Sequence, residues 1–335
     1  MDAREHRLLN DFQRDFPLCE APYAAIAKTL HATEDWVLAT LRRFAAEGVV
    51  SRVGAIFRPG SVGASTLAAM SVPPSRLADV ARRVSAHQGI NHNYEREHRF
   101  NLWFVANAPD PDRLRALLAQ IERETVLPVL SLPLLREYHI DLGFDLDGAR
   151  GAKPVRVFDG KGDVAAVTLD ADAARIVAAL QEGLPLTPRP YGAIAERAGL
   201  AGVKGEQRVL RHLRGWLRDG IVKRLGVIVR HRPLGYIANV MAVWDVPDEG
   251  VDAAGRALAG EPGVTLCYAR ARALPAWPYN LFCMLHGRDR RDVEAELDEM
   301  GARTGLARYA HARLFSGAAF KQGGARHFAT AAFHG

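Results

Sequence analysis

The chain has 335 residues, 48% of them hydrophobic, and carries a net charge of +6 at neutral pH. That content supports packed cores and excludes global disorder, and the length suggests about two to four domains at ~100–200 residues each. No apolar run reaches the ~20 residues of a membrane helix, the scattered Cys19, Cys267 and Cys283 form neither a disulfide framework nor a zinc cluster, and the positive balance favours a polyanionic partner, either nucleic acid or a small molecule rich in carboxylates or phosphates.

The first residues, MDAREHRLLND, are charged from the second position and hold no apolar signal core, so a cytoplasmic protein is expected. Leu8, Leu9 and Phe12 stand near helical spacing. A second helix is expected from Pro22, a residue suited to the first turn. A third runs from Thr33 as N-cap to Gly48 as stop, and the β segment VVSRVGAIFR follows. Next come a strand (STLAAMSVP) and a helix with Leu77, Val80, Ala81 and Val84 on one face. Two strands (INHNYER and RFNLWFV), a helix (DPDRLRALLAQIERET) and a last strand (VLSLPLLRE) complete the unit. Three helices and a β segment match a winged helix-turn-helix, and the β-α-β-β-α-β order after it is ferredoxin-like.

The chain then repeats itself. EGVVSRVGAIFRPGSVG (47–63) aligns with DGIVKRLGVIVRHRPLG (219–235), matching Gly48 to Gly220, Arg52 to Arg224, Gly54 to Gly226, Arg58 to Arg230 and Gly63 to Gly235 at a constant spacing of 172. GINHNYER (89–96) aligns with GVTLCYAR (263–270) at 174, and FNLWF (100–104) with YNLFC (279–283) at 179. The expected fold is α+β, a tandem duplication forming a pseudo-dimer in one chain. Its expected parts are a winged helix-turn-helix over 1–58, a ferredoxin-like domain over 59–147, a Gly- and Lys-rich linker over 148–168, a second winged helix-turn-helix over 169–230 and a second ferredoxin-like domain over 231–327.

The stretch INHNYEREHRFNLWF concentrates ionisable groups before an apolar run. With residues 90–98 extended, His92, Tyr94, Arg96 and His98 share one face. After a turn, Asn101 and Trp103 share a face, while Leu102 and Phe104 point to the core. In the second copy the same face reads Leu266, Tyr268, Arg270 and Arg272. Tyrosine and arginine persist, and histidine does not. That contrast predicts one competent site in the first half and a degenerate second one. His286, whose counterpart is Asn107, keeps the opposite assignment open.

A winged helix followed by a ferredoxin-like domain, with GVVSRVGAIFRP at the junction, resembles the Lrp/AsnC regulator family. HNYEREHRFNLWF (92–104) and CYARARALPAWPYNLFCMLHG (267–287) resemble the signatures of siroheme decarboxylases, in the form that fuses two subunit types for haem d1 biosynthesis. The resemblance implies removal of the C12 and C18 acetate carboxyls of siroheme, giving 12,18-didecarboxysiroheme. It implies siroheme as partner and no cofactor beyond this iron-tetrapyrrole substrate. No membrane association is expected. Beyond the internal pseudo-dimer, a homodimer or association with homologous subunits stays open.

A ligand with eight carboxylates calls for arginines, which pair with carboxylates bidentately and stack on flat rings. Arg96, Arg270, Tyr268, Asn101, Trp103 and His139, the last folding back over the site, are the expected binding residues. The macrocycle can delocalise the electrons left by departing CO2, so what remains is a general acid. His92 or His98 fills that role, with Tyr94 as an alternative donor. One of the two histidines is alternatively a ligand of the siroheme iron, and no separate metal site is expected. The competing reading is a DNA-binding regulator sensing a small ligand. Against it, Glu34 and Asp35 open the expected recognition helix of copy one and repel phosphate. The copy-two helix carries Arg208, Arg211, Arg214 and Arg218, so the two reading helices are not equivalent.

Overall fold

A computed structural model describes residues 1–140, 169–200, 202–230 and 232–328. Copy one runs α1 (Ala3–Asp11), α2 (Pro22–Thr29), α3 (Glu34–Ala46), β1 (Val50–Phe57), β2 (Ala64–Met70), α4 (Leu77–Ala86), β3 (Ile90–Arg96), β4 (Leu102–Ala108), α5 (Pro111–Thr125), β5 (Leu130–Leu132) and β6 (Leu134–Ile140). Copy two runs α6 (Ala171–Leu180), α7 (Pro190–Arg197), α8 (Val203–Arg218), β7 (Val222–Val229), β8 (Ala238–Trp244), α9 (Val251–Ala259), β9 (Val264–Arg270), β10 (Leu281–Gly287), α10 (Arg290–Arg303) and β11 (His311–Gln322). The duplicated α+β architecture is therefore present. The expected linker, 148–168, lies outside the described residues.

Local signals place the helices. Asp2 and Glu5 form a capping box at α1, and the Thr33 hydroxyl caps α3 by accepting from the Trp36 amide. Gly48 and its duplicate Gly220 both take positive φ, 74° and 71°, where the helices give way to β1 and β7. The two helical units share one apolar core, in which Leu8, Tyr23 and Leu41 of copy one meet Tyr191, Val209 and Leu213 of copy two. The sharing is reciprocal: the Tyr23 hydroxyl donates to the Pro185 carbonyl at 3.1 Å and the Tyr191 hydroxyl to the Pro17 carbonyl at 2.8 Å.

The expected wings differ from a winged domain in one respect. Each is a single strand that pairs with its own duplicate: β1 and β7 form a two-stranded antiparallel ribbon. A lone strand leaves a row of backbone donors and acceptors unmet, and the duplicate supplies them.

The larger sheet has nine strands in the order β5-β2-β4-β3-β11-β8-β10-β9-β6. The last strand of each copy is shared. β5 pairs with β2 of its own copy, then the chain passes Pro133 and β6 pairs with β9 of copy two. The long β11 pairs first with β8 and then with β3 of copy one. One face carries α4 and α5 over Val80, Phe104 and Ile121, and α9 and α10 over Val240, Leu258 and Leu297. The other face builds a third core from both copies, with Trp103 and Leu132 against Met241, Tyr268, Trp277 and Phe282. No helix among the described residues is long and apolar enough to cross a membrane.

Candidate active site

β3 sorts its side chains as strand alternation requires. Asn93 turns toward the helices and donates to the Ala81 carbonyl and Ser85 hydroxyl of α4, each at 3.0 Å. His92 and Tyr94 occupy the opposite face, their rings stacked at 6.1 Å with 16° between planes. Arg96 follows them and is buried. Its Nη1 donates to the Leu314 carbonyl at 3.0 Å and the Ser316 hydroxyl at 3.1 Å, both on β11. Its Nε is buried with no partner. Strand exchange thus fixes the first-half arginine with backbone from the second half.

The β1–β7 ribbon brings more arginines to this face. Arg52 of β1 lies near enough to His92 to disfavour its protonation. Desolvation does more, and together they hold the imidazole at about 4, down from 6.5. Arg230 and Arg232, just beyond β7, act with Arg96 on the Tyr94 hydroxyl, but burial outweighs all three and raises its pKa, so Tyr94 stays protonated at neutral pH. Arg96 itself is lowered to about 10, chiefly by burial. Like Arg96, both Arg52 and Arg230 present a buried Nε without a partner. A half-buried neutral imidazole and a phenol therefore stand among four arginines from both copies. Such a cleft suits a ligand with several carboxylates.

The duplicate face answers residue by residue. Arg270 repeats Arg96: its Nη1 donates to the Leu132 carbonyl at 2.8 Å, and its guanidinium lies 4.6 Å from the Tyr268 ring centroid. Arg224 stands for Arg52 and Arg58 for Arg230. Three substitutions change the chemistry: Leu266 replaces His92, Lys223 replaces Ser51, and Gly60 replaces Arg232. A fourth is visible only in the ladder. Opposite Tyr94 stands Ala319, whereas opposite Tyr268 stands Glu137. Glu137 forms ion pairs with Lys223 and, at 3.8 Å, with Arg58.

Several expected site residues lie elsewhere. β3 ends at Arg96, whose amide donates to the Asn101 carbonyl, so His98 leaves the shared face and enters a turn. There its Nδ1 accepts from the Phe100 amide at 3.1 Å and its ring meets the edge of Trp277 at 5.4 Å. Asn101 is occupied by backbone: Oδ1 accepts from the Val72 amide and Nδ2 donates to the Val72 carbonyl, both at 2.9 Å. Asn280 makes the same pair of bonds to Val246 in copy two. Trp103 is 2% exposed, and its Nε1 donates to the Phe100 carbonyl, so it packs the shared core. Leu102 and Phe104 face the helices, as expected. His139 does not fold over the first-half site, because β6 carries it to β9, opposite Cys267. His286 contacts the Thr265 hydroxyl through Nδ1 at 3.0 Å, a strand-end pairing. Arg272 is taken up by Asp245 and Asp248.

The DNA reading meets a helix on which three of the four named arginines are engaged within the protein. On α8, Arg208 pairs with Asp172, Arg218 with Asp219, and Arg214 donates to the Leu18 carbonyl. Cations engaged this way have less to offer phosphate.

Comparison with known proteins agrees with the duplication. The AsnC-like ligand binding domain matches residues 61–139 and 233–321, and the siroheme decarboxylase NirDL-like HTH domain matches residues 5–50 and 174–222. The siroheme decarboxylase NirDL subunit of Paracoccus denitrificans is 46% identical over 325 residues, 97% of each chain. The siroheme decarboxylase NirD subunit of Pseudomonas aeruginosa is 48% identical over 150 residues, 45% of this chain and all of its own. A crystal structure of the siroheme decarboxylase NirDL with an iron-uroporphyrin III analogue superposes with a TM-score of 0.67 at 25% identity, covering 97% of this chain and 94% of that one. With the duplicated fold, both domain types and near full-length identity in agreement, the chain belongs to the siroheme decarboxylase family.

Proposed function

We propose that this chain decarboxylates siroheme to its 12,18-didecarboxy product at one site, in the first half, with His92 as proton donor. The observation that carries this reading is the asymmetry of two otherwise matching faces. Only the first combines a histidine with an arginine cluster that no acid of its own ladder neutralises.

Arg52, Arg96, Arg230 and Arg232 hold the carboxylates that stay. Breaking the carbon–carbon bond leaves an electron pair on the former acetate methylene, and the macrocycle delocalises it. The protein must then deliver a proton to that carbon. His92 is neutral in the free chain, held so by burial and by Arg52. A substrate carboxylate seated on Arg52 offsets that repulsion and adds a negative charge beside the ring. Both raise the His92 pKa against the larger effect of burial, so the imidazole takes up its proton more readily with substrate present. Tyr94, stacked beside it and protonated, orients the imidazole and supplies a second O–H. His98, in its aromatic turn, supports the shared core. No cofactor is assigned beyond the iron-tetrapyrrole substrate, and the second copy takes the place of a separate partner subunit.

The test is anaerobic incubation with siroheme followed by mass analysis of the pigment. Two successive losses of CO2 are expected. A bound pigment of unchanged mass would make the chain a carrier instead.

A further inference from the structure

We propose that the second cleft, beside Tyr268 and Arg270, is a latent site for a polycarboxylate tetrapyrrole, kept closed by the carboxylate of Glu137. The inference rests on the reading of the first cleft as such a site, and it concerns a face that the chemistry leaves unused.

The two clefts share their frame. Tyr94 and Arg96 correspond to Tyr268 and Arg270, and each arginine is held by one equivalent backbone carbonyl, Leu314 or Leu132. Arg270, like Arg96, keeps a buried Nε with no partner. What differs is the ladder position facing the tyrosine. In the first cleft it is Ala319, which brings no carboxylate to the arginines there. In the second it is Glu137, whose side chain is 11% exposed and meets Lys223 and Arg58. Arg58 is the duplicate of Arg230, an arginine assigned above to substrate carboxylates. Glu137 therefore offers to the second cleft the group that a ligand carboxylate offers to the first. Lys223, at the position of Ser51, completes the internal pairing. Strand exchange makes this possible, because Glu137 belongs to copy one and reaches copy two only through β6.

Leu266 replaces His92 here, so an opened second cleft binds without reacting. Glu137 pairs with Lys223 and Arg58, neither of which is among the groups assigned to the first cleft, so the decarboxylation rate at the first site should stay as it is.

The experiment counts equivalents of iron-uroporphyrin III bound by the full chain, by Soret titration, for the native protein, Glu137→Ala and Glu137→Gln. The Gln variant keeps the volume and removes the charge, which guards against an Ala variant that fails to fold. One equivalent for the native chain and two for a folded variant is the expected result. A second substitution, Arg58→Ala in the Glu137→Gln chain, should return the count to one. One equivalent in both native and folded Glu137 variants overturns the proposal, and so does two in the native chain. No binding to the native chain would sink the reading of the first cleft instead; the plug would then stand or fall on a gain of one equivalent in the variants.

Discussion

Gly54 of β1 lies directly opposite Gly226 of β7, its own duplicate. The pseudo-twofold axis of the chain therefore passes beside this pair, as expected for an isologous contact. The surroundings are not equal. A methyl group on Gly226 would stand 2.2 Å from the Gln13 carbonyl oxygen and 2.5 Å from that of Phe12, both backbone. On Gly54 it would meet the Gly183 Cα at 3.3 Å. Overpacking costs about 1–3 kcal/mol, so Gly226→Ala should lower the thermal midpoint clearly and Gly54→Ala much less. Equal shifts in thermal denaturation would contradict the asymmetry.

His92 and Arg52 set a pH dependence. The imidazole titrates at about 4 in the folded chain and at 6.5 ordinarily. Between these values the unfolded chain binds a proton that the folded one refuses. The stability from this group is therefore complete above pH 6.5 and is lost as pH falls toward 4. Arg52→Ala removes the repulsion and leaves the desolvation. NMR titration of the His92 ring should find its pKa raised in that variant yet still below 6.5. An unchanged value would separate Arg52 from His92.

Gly324 controls where Arg52 stands. A methyl group there would come within 2.8 Å of the Arg52 Cζ. The guanidinium is the far end of a flexible side chain, so it moves and the backbone stays. Gly324→Ala should raise KM for siroheme about tenfold, the ~1.4 kcal/mol of one misplaced anchoring contact, with the thermal midpoint kept. An unchanged KM would remove Arg52 from the binding set.

Asn101 distinguishes a clamp from a contact. Asn101→Ala and Asn280→Ala each strip two hydrogen bonds from equivalent backbone at Val72 and Val246. Each should cost about 1–3 kcal/mol of stability, and siroheme affinity should stay within about twofold. A loss of affinity at full stability would return Asn101 to the binding site.

The duplication was legible because it lies along the chain: constant spacings at Gly48, Arg52 and Gly54 reveal it without any fold. The His92, Tyr94 and Arg96 row followed from strand alternation. His98 was misplaced because nothing in EREHRF marks where pairing stops; the bond from the Arg96 amide to the Asn101 carbonyl ends the strand. His139 and Glu137 escaped for a different reason. VLSLPLLRE reads as one strand whichever partner it takes, and its continuation through His139 and its exchange across the copies are settled by the sheet. Arg52 and Arg230 did leave a signal, as matched residues of the repeat, but only the antiparallel β1–β7 ribbon brings them to the same cleft.

The central claim is that the chemistry belongs to His92. It is tested most directly by giving siroheme anaerobically to the native chain and to His92→Ala, and weighing the pigment over time. The native chain should yield the doubly decarboxylated product. The variant should bind siroheme, with a Soret shift, and react slower by about 10²–10⁴-fold, the contribution of a positioned general acid. A variant that removes both carboxyls within about twofold of the native rate would contradict the account.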